Sequence, residues 1–104
     1  MPKSTPHNSA ENPQVQISKL RLAIDEIDAQ IMDLIDRRLM LAKQIGGLKK
    51  QGGLSITDSA REKEIIERLR QKNRGLLSND ALVHIFAAIM AEGRNVQKTD
   101  RTPK

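Results

Sequence analysis

Apolar residues recur along the first half of the chain at Ile17, Leu20, Ile24, Ile27, Ile31 and Leu34, then at Leu41, Ile45 and Leu48. The steps alternate between three and four, the spacing of a stripe along one side of an α-helix, and they predict a helix over residues 17–51. One position breaks the stripe: the step after Leu34 lands on Arg38. A cation among aliphatic neighbours is costly unless something pairs with it. Arg38 is therefore read as a residue placed to meet an anion. Asn12 followed by Pro13 fits a cap and a first helical residue and offers an earlier start. Gly52 and Gly53 are read as the end, because glycine readily takes the left-handed cap conformation. Gly46 and Gly47 lie inside the helix, each at a cost of roughly 1 kcal/mol relative to alanine. Two readings stay open for them: close approach of another backbone or a ligand, and a tolerated weak turn.

Two shorter helices follow. The spacing of Ile65, Ile66 and Leu69 predicts one over about residues 59–72, with Ser59 and Glu62 forming a capping box and Thr57 and Asp58 as rival caps. Leu82, Ile85, Phe86, Ile89, Met90 and Val96 predict another over about residues 80–97, and Gln97 extends that face. The connector 73–80 carries Leu76 and Leu77, which are expected to tuck beneath it. No stretch alternates with the period of a strand, and no internal repeat appears. The expected fold is all-α, one long helix and two shorter ones. Residues 1–16 are polar, hold three prolines and show no period, so they read as a disordered tail. Residues 98–104 read as a basic tail, leaving 17–97 as the single domain.

A helix of 35 residues is about 52 Å long, whereas a 104-residue globule has a radius of gyration near 13 Å. The stripe needs more partners than two short helices supply. A homodimer with the long helices packed together is the simplest solution.

Composition narrows the chemistry. Without cysteine there is no disulfide framework, thiolate nucleophile or cysteine-based zinc site. The first residues lack the apolar core of a secretory signal and no apolar run reaches a membrane-spanning length, so a cytoplasmic protein is expected. The net charge is +5. The last seven residues contribute +2 and the first sixteen nothing, leaving +3 on the body, an excess suited to a small anion. One Phe and no Trp or Tyr provide no stacking platform for single-stranded nucleic acid.

Candidate chemistry sits on the long helix. Arg38 and Lys49 are eleven residues apart, which returns them to nearly the same face about 16 Å apart along the axis. Both could reach a small ligand lying between them. Arg21 is seventeen residues before Arg38, on another side of the helix, and could meet such a ligand only from a second, antiparallel chain. This suggests two arginines for carboxylates, a lysine for an oxygen on which charge develops, and Glu62 and Gln97 for neutral polar groups. On spacing alone, solvated cations remain the ordinary reading of Arg21 and Lys49. Arg61 and Glu62 begin the buried side of the second helix, or simply form a solvated first turn. His7 and His84 lack a partner at metal-ligand spacing, and no phosphate loop or nucleophile–base pair is present.

The motifs L-R-x-x-I-D-x-I-D from Leu20, R-R-x-x-L-A from Arg37, I-G-x-x-K from Ile45 and D-x-x-R-E from Asp58 stand at spacings that need no gap between Arg21 and Glu62. Together with I-F-A-A-I-M-A-E-G-R-N-V-Q at 85–97, they resemble the all-helical chorismate mutases, the AroQ or type II class, over roughly residues 17–97. The resemblance implies an intertwined homodimer with two equivalent sites. It implies that Arg38, and Arg21 of the partner chain, hold the carboxylates of chorismate. Lys49 and Gln97 would face the ether oxygen, Glu62 and the backbone at Asp58 the ring hydroxyl, and Arg61 would support the site near a carboxylate. At Gly93 the family pattern has a serine, so a hydroxyl donor to a carboxylate is lost. The implied reaction is the Claisen rearrangement of chorismate to prephenate, on the route to phenylalanine and tyrosine, without cofactor or metal. Association with another shikimate-pathway enzyme is a further implication. The rival readings are an isochorismate-pyruvate lyase and a non-catalytic helical dimer that binds a protein partner.

Overall fold

The computed structural model describes residues 12–98, and these form three α-helices: α1 (Pro13–Gly52), α2 (Ser59–Lys72) and α3 (Asn79–Lys98). No strand occurs among the described residues.

The helix ends follow from local chemistry. The Asn12 side-chain oxygen accepts the Val15 N–H at 2.9 Å and its carbonyl accepts the Gln16 N–H. Asn12 is thus the cap and Pro13 the first residue of α1, where a missing N–H costs nothing. Pro13–Gln16, expected in the tail, are therefore helical. The rest of that tail, and residues 99–104 of the other, lie outside the described residues. At the far end the Leu54 N–H bonds the Lys49 carbonyl at 2.8 Å and the Gly53 N–H bonds the Lys50 carbonyl at 3.3 Å. This paired arrangement is a Schellman cap, and it requires the left-handed residue that Gly53 supplies with φ 66°.

The cap of α2 is Asp58, not Ser59: its carboxylate accepts the Arg61 N–H at 3.0 Å. Ser59 is already the first helical residue, and a carboxylate in the cap position also faces the positive end of the helix dipole. The connector to α3 differs from expectation too. The Asn73 side-chain amide donates to the Leu77 carbonyl at 2.8 Å and to the Asn79 side chain at 3.0 Å. These polar bonds hold the turn, so no apolar anchor is needed. Leu76 is fully exposed and Leu77 is 42% exposed. Ser78 caps α3 by accepting the Ala81 N–H at 3.0 Å.

The chain divides into two units between Leu34 and Ile35. From Pro13 onward the described part of the first unit is helix throughout. Its stripe residues Ile17, Leu20, Ile24, Ile27, Ile31 and Leu34 are each 45–64% exposed, so this unit buries none of them by itself. The second unit holds the end of α1 with α2 and α3. Its core is small: Ala42, Leu82, Met90 and Val96 are buried, with Ile65, Ile66, Leu69, Phe86 and Ile89 half-buried around them. Gly46 and Gly93 are buried as well.

Candidate active site

One helical spacing is used three times to build the site. Arg38, Leu41, Ala42 and Ile45 on α1 stand at i, i+3, i+4 and i+7, and Lys49 follows one turn on. Asp58, Arg61, Glu62 and Ile65 repeat the spacing at the start of α2, and Met90, Gly93, Arg94 and Gln97 repeat it on α3. Each set is one face of its helix. The three faces, with Ile56 from the connector, line a single cavity of about 250 Å³ within the second unit.

Arg38, the residue that breaks the apolar stripe, opens onto this cavity and is half-buried. Among the described residues it has no hydrogen-bond or ion-pair partner. Lys49 is held by the connector: its ammonium donates to the Ile56 carbonyl at 3.1 Å. The Schellman cap turns the chain back so that this carbonyl reaches Lys49. Two of the three donors of an ammonium remain for a ligand.

Gln97 reaches the cavity because Gly46 lets it. A Cβ at Gly46 would fall 2.9 Å from the Gln97 Cβ and Cγ and 3.0 Å from its Cα. Of the two readings left open for the glycine pair, close approach therefore holds for Gly46. Gly47 faces open space, with nothing within 4 Å of a Cβ there. The Gln97 side-chain oxygen is buried without a hydrogen-bond partner. Such an atom is costly unless a ligand or water meets it.

Glu62 is ion-paired. The Arg94 guanidinium donates to one of its oxygens at 2.5 Å, joining α2 to α3. Arg94 is a functional candidate that the sequence reading missed. Its signal was present: it stands four residues after Met90 on an otherwise apolar face, as Arg38 does on α1. Arg61 also borders the cavity, but its side chain is 52% exposed and its guanidinium donates to Glu64 at 2.7 Å. This bond, and after it the charge of Arg68, hold the Glu64 carboxyl below its usual 4.5. Asp58 borders the cavity while its side chain is committed to capping α2.

Gly93 is buried, and a Cβ there would meet the Ala42 Cβ and an Arg38 Nη at 3.8 Å, an ordinary contact. Arg21 is exposed on the first unit and is not among the cavity's lining residues. His84 is exposed and bonds the Asp80 carbonyl at 2.8 Å. The cavity thus brings together four cations, two carboxylates, one carboxamide and an aliphatic wall, a setting able to bind a small dianion and to act on charge developing within it.

The sequence profile of the family "Chorismate mutase type II" matches residues 20–98. A chorismate mutase of Methanocaldococcus jannaschii is 35% identical over 85 residues, covering 80% of this chain and 85% of that protein. A bifunctional chorismate mutase/prephenate dehydratase of Aquifex aeolicus is 36% identical over 87 residues, again 80% of this chain but 24% of that protein. The chain thus spans about a quarter of the bifunctional relative. The crystal structure of a Helicobacter pylori chorismate mutase in complex with prephenate superposes with a TM-score of 0.75 at 30% identity, covering 81% of this chain and 91% of that one.

Proposed function

Because the chain belongs to the chorismate mutase type II family, we propose that it is an isomerase that rearranges chorismate to prephenate in phenylalanine and tyrosine biosynthesis, by selecting a reactive conformer and stabilising charge on the ether oxygen. The observation that carries this reading is the convergence of Lys49 and Gln97 on one cavity with Arg38 and Glu62. The prephenate held by the Helicobacter pylori relative is the product this reading assigns to the same site.

The rearrangement is pericyclic. One carbon–oxygen bond breaks as one carbon–carbon bond forms, and no proton or electron has to be supplied. Arg38 would grip a carboxylate by its planar fork. Together with the aliphatic wall of Leu41, Ile45 and Ile65, this favours the compact conformer in which the reacting carbons approach. Negative charge grows on the ether oxygen as its bond lengthens. The Lys49 ammonium, already oriented by the Ile56 carbonyl, and the Gln97 amide would donate to it. Both contacts strengthen toward the transition state, as catalysis requires. Glu62, and the backbone at Asp58, would receive the ring hydroxyl, with Arg61 nearby.

The active form proposed is an intertwined homodimer in which Arg21 of the partner chain completes the carboxylate site. The half-exposed stripe of the first unit supports it, since those side chains would contribute about 25 cal/mol for each Å² they bury against a second chain. The fused dehydratase of the Aquifex relative is the ground for expecting association with an enzyme that consumes prephenate.

Separate incubations with chorismate and isochorismate test the assignment. Prephenate from chorismate is expected. Pyruvate from isochorismate without any prephenate would make the chain a lyase, and no turnover of either would leave the non-catalytic dimer. Lys49→Ala is expected to abolish turnover with its circular dichroism unchanged, and full activity in that variant would refute the electrostatic mechanism.

A further inference from the structure

We propose that Arg94 is a positioning residue that grips one oxygen of the Glu62 carboxylate so that the other is presented to a hydroxyl of the bound substrate. The identity of that substrate rests on the mutase reading; the pairing itself does not. Three observations support it. Arg94 stands in the middle of the cavity-lining face of α3, between Met90 and Gln97. Its Nη1 donates to Glu62 Oε2 at 2.5 Å with side chains only 31% and 29% exposed, whereas the Arg61–Glu64 pair is 52% and 56% exposed. The bond spans 32 residues of sequence, from α2 to α3, whereas the Arg61–Glu64 and Arg68–Glu64 pairs stay within α2.

The second oxygen of Glu62, Oε1, accepts no hydrogen bond from a described residue. An unanchored glutamate loses rotamer freedom when it must meet a ligand, and that loss weakens the contact. Arg94 removes most of that freedom beforehand. Arginine keeps its charge at any working pH and offers only donors, so it cannot replace Glu62 as the hydroxyl's acceptor. Its effect on that hydroxyl must therefore pass through Glu62.

A double-mutant cycle separates this from a structural role. Arg94→Met keeps most of the aliphatic stem, and Glu62→Gln keeps the shape of the carboxylate. The wild type, both single variants and the double variant are compared by chorismate kinetics well below their melting temperatures and by thermal unfolding. Arg94→Met is expected to lower kcat/KM about tenfold in the wild-type background and less than twofold in Glu62→Gln. Arg94→Lys should recover part of the loss. The drop in Tm caused by Arg94→Met should likewise vanish in Glu62→Gln. Equal kinetic factors in both backgrounds would overturn the proposal, since Arg94 would then act on the substrate directly or through the fold. Additive Tm values would overturn it by showing that the pair does not form. If the wild type turned over no chorismate while the Tm values were coupled, the mutase reading would fail, the pair would stand, and its role toward a substrate hydroxyl would be rejected.

Discussion

The contact between Gly46 and Gln97 gives a prediction with an internal control. Alanine at either Gly46 or Gly47 adds the same methyl group to the same turn of α1, and in a helix interior alanine is favoured over glycine by about 1 kcal/mol. At position 47 nothing lies within 4 Å of the new Cβ, so Gly47→Ala should realise that gain. At position 46 the new Cβ would sit 2.9 Å from the Gln97 Cβ and Cγ and 3.0 Å from its Cα. Carbon atoms rest about 3.5–4.0 Å apart, so relief requires a shift of roughly 0.5–1 Å. Changing the Gln97 rotamer does not suffice, because the Cα belongs to the backbone of α3. Overpacking of this kind costs about 1–3 kcal/mol. Set against the helix preference, Gly46→Ala should be destabilised by about 0–2 kcal/mol, which leaves a folded protein at 20 °C. A misplacement of about 1 Å at a reacting group can cost on the order of 100-fold in rate. The assay is the loss of chorismate absorbance, with thermal unfolding of the same samples. Gly46→Ala should lose about 10- to 100-fold in kcat, while Gly47→Ala keeps wild-type kinetics and melts a few degrees higher, at about 4–8 °C per kcal/mol. Equal kcat in the two variants would refute the claim that close approach at Gly46 sets the position of Gln97.

Inactive Arg21→Ala and Arg38→Ala chains, once mixed and allowed to exchange, should regain about a quarter of wild-type activity, since half of random dimers are mixed and each carries one intact site; no recovery with heterodimers demonstrated would show that Arg21 does not act across the interface. Gly93→Ser should be accepted without rearrangement, because its Cβ would make only ordinary contacts at 3.8 Å, and its hydroxyl should lower KM several-fold with kcat little changed; an unchanged KM would exclude a carboxylate beside Gly93. The Glu64 carboxyl, lowered by its Arg61 bond and then by Arg68, favours the folded state above 4.5, its usual value, and that contribution disappears as the pH falls through the lower folded value. Carboxyl-detected NMR should place its midpoint below 4.5 and see it rise in Arg61→Met; a midpoint unmoved by that variant would remove Arg61 as the cause.

The helices were legible because each bound is a local event. Asn12–Pro13 opens α1, Gly53 closes it, and the polar residues Asp58 and Ser78 open the other two. The choice of Asp58 over Ser59 was not legible, since both can accept the same kind of bond and the outcome depends on where the chain enters the helix. Leu76 and Leu77 misled for a related reason. Apolar character argued for burial, but the side chain of Asn73 holds that turn and leaves Leu76 in solvent.

By itself, the sequence determined three amphipathic helices and singled out Arg38, because period and charge are properties of one helix at a time. Only the tertiary structure decided which faces meet. It set Gly46 against Gln97 while leaving the identical residue Gly47 in the open, and it paired Glu62 with Arg94 across 32 residues of chain. Those contacts depend on how α1, α2 and α3 approach one another in the second unit. Side-chain packing sets that approach, and no stretch of one helix encodes it alone.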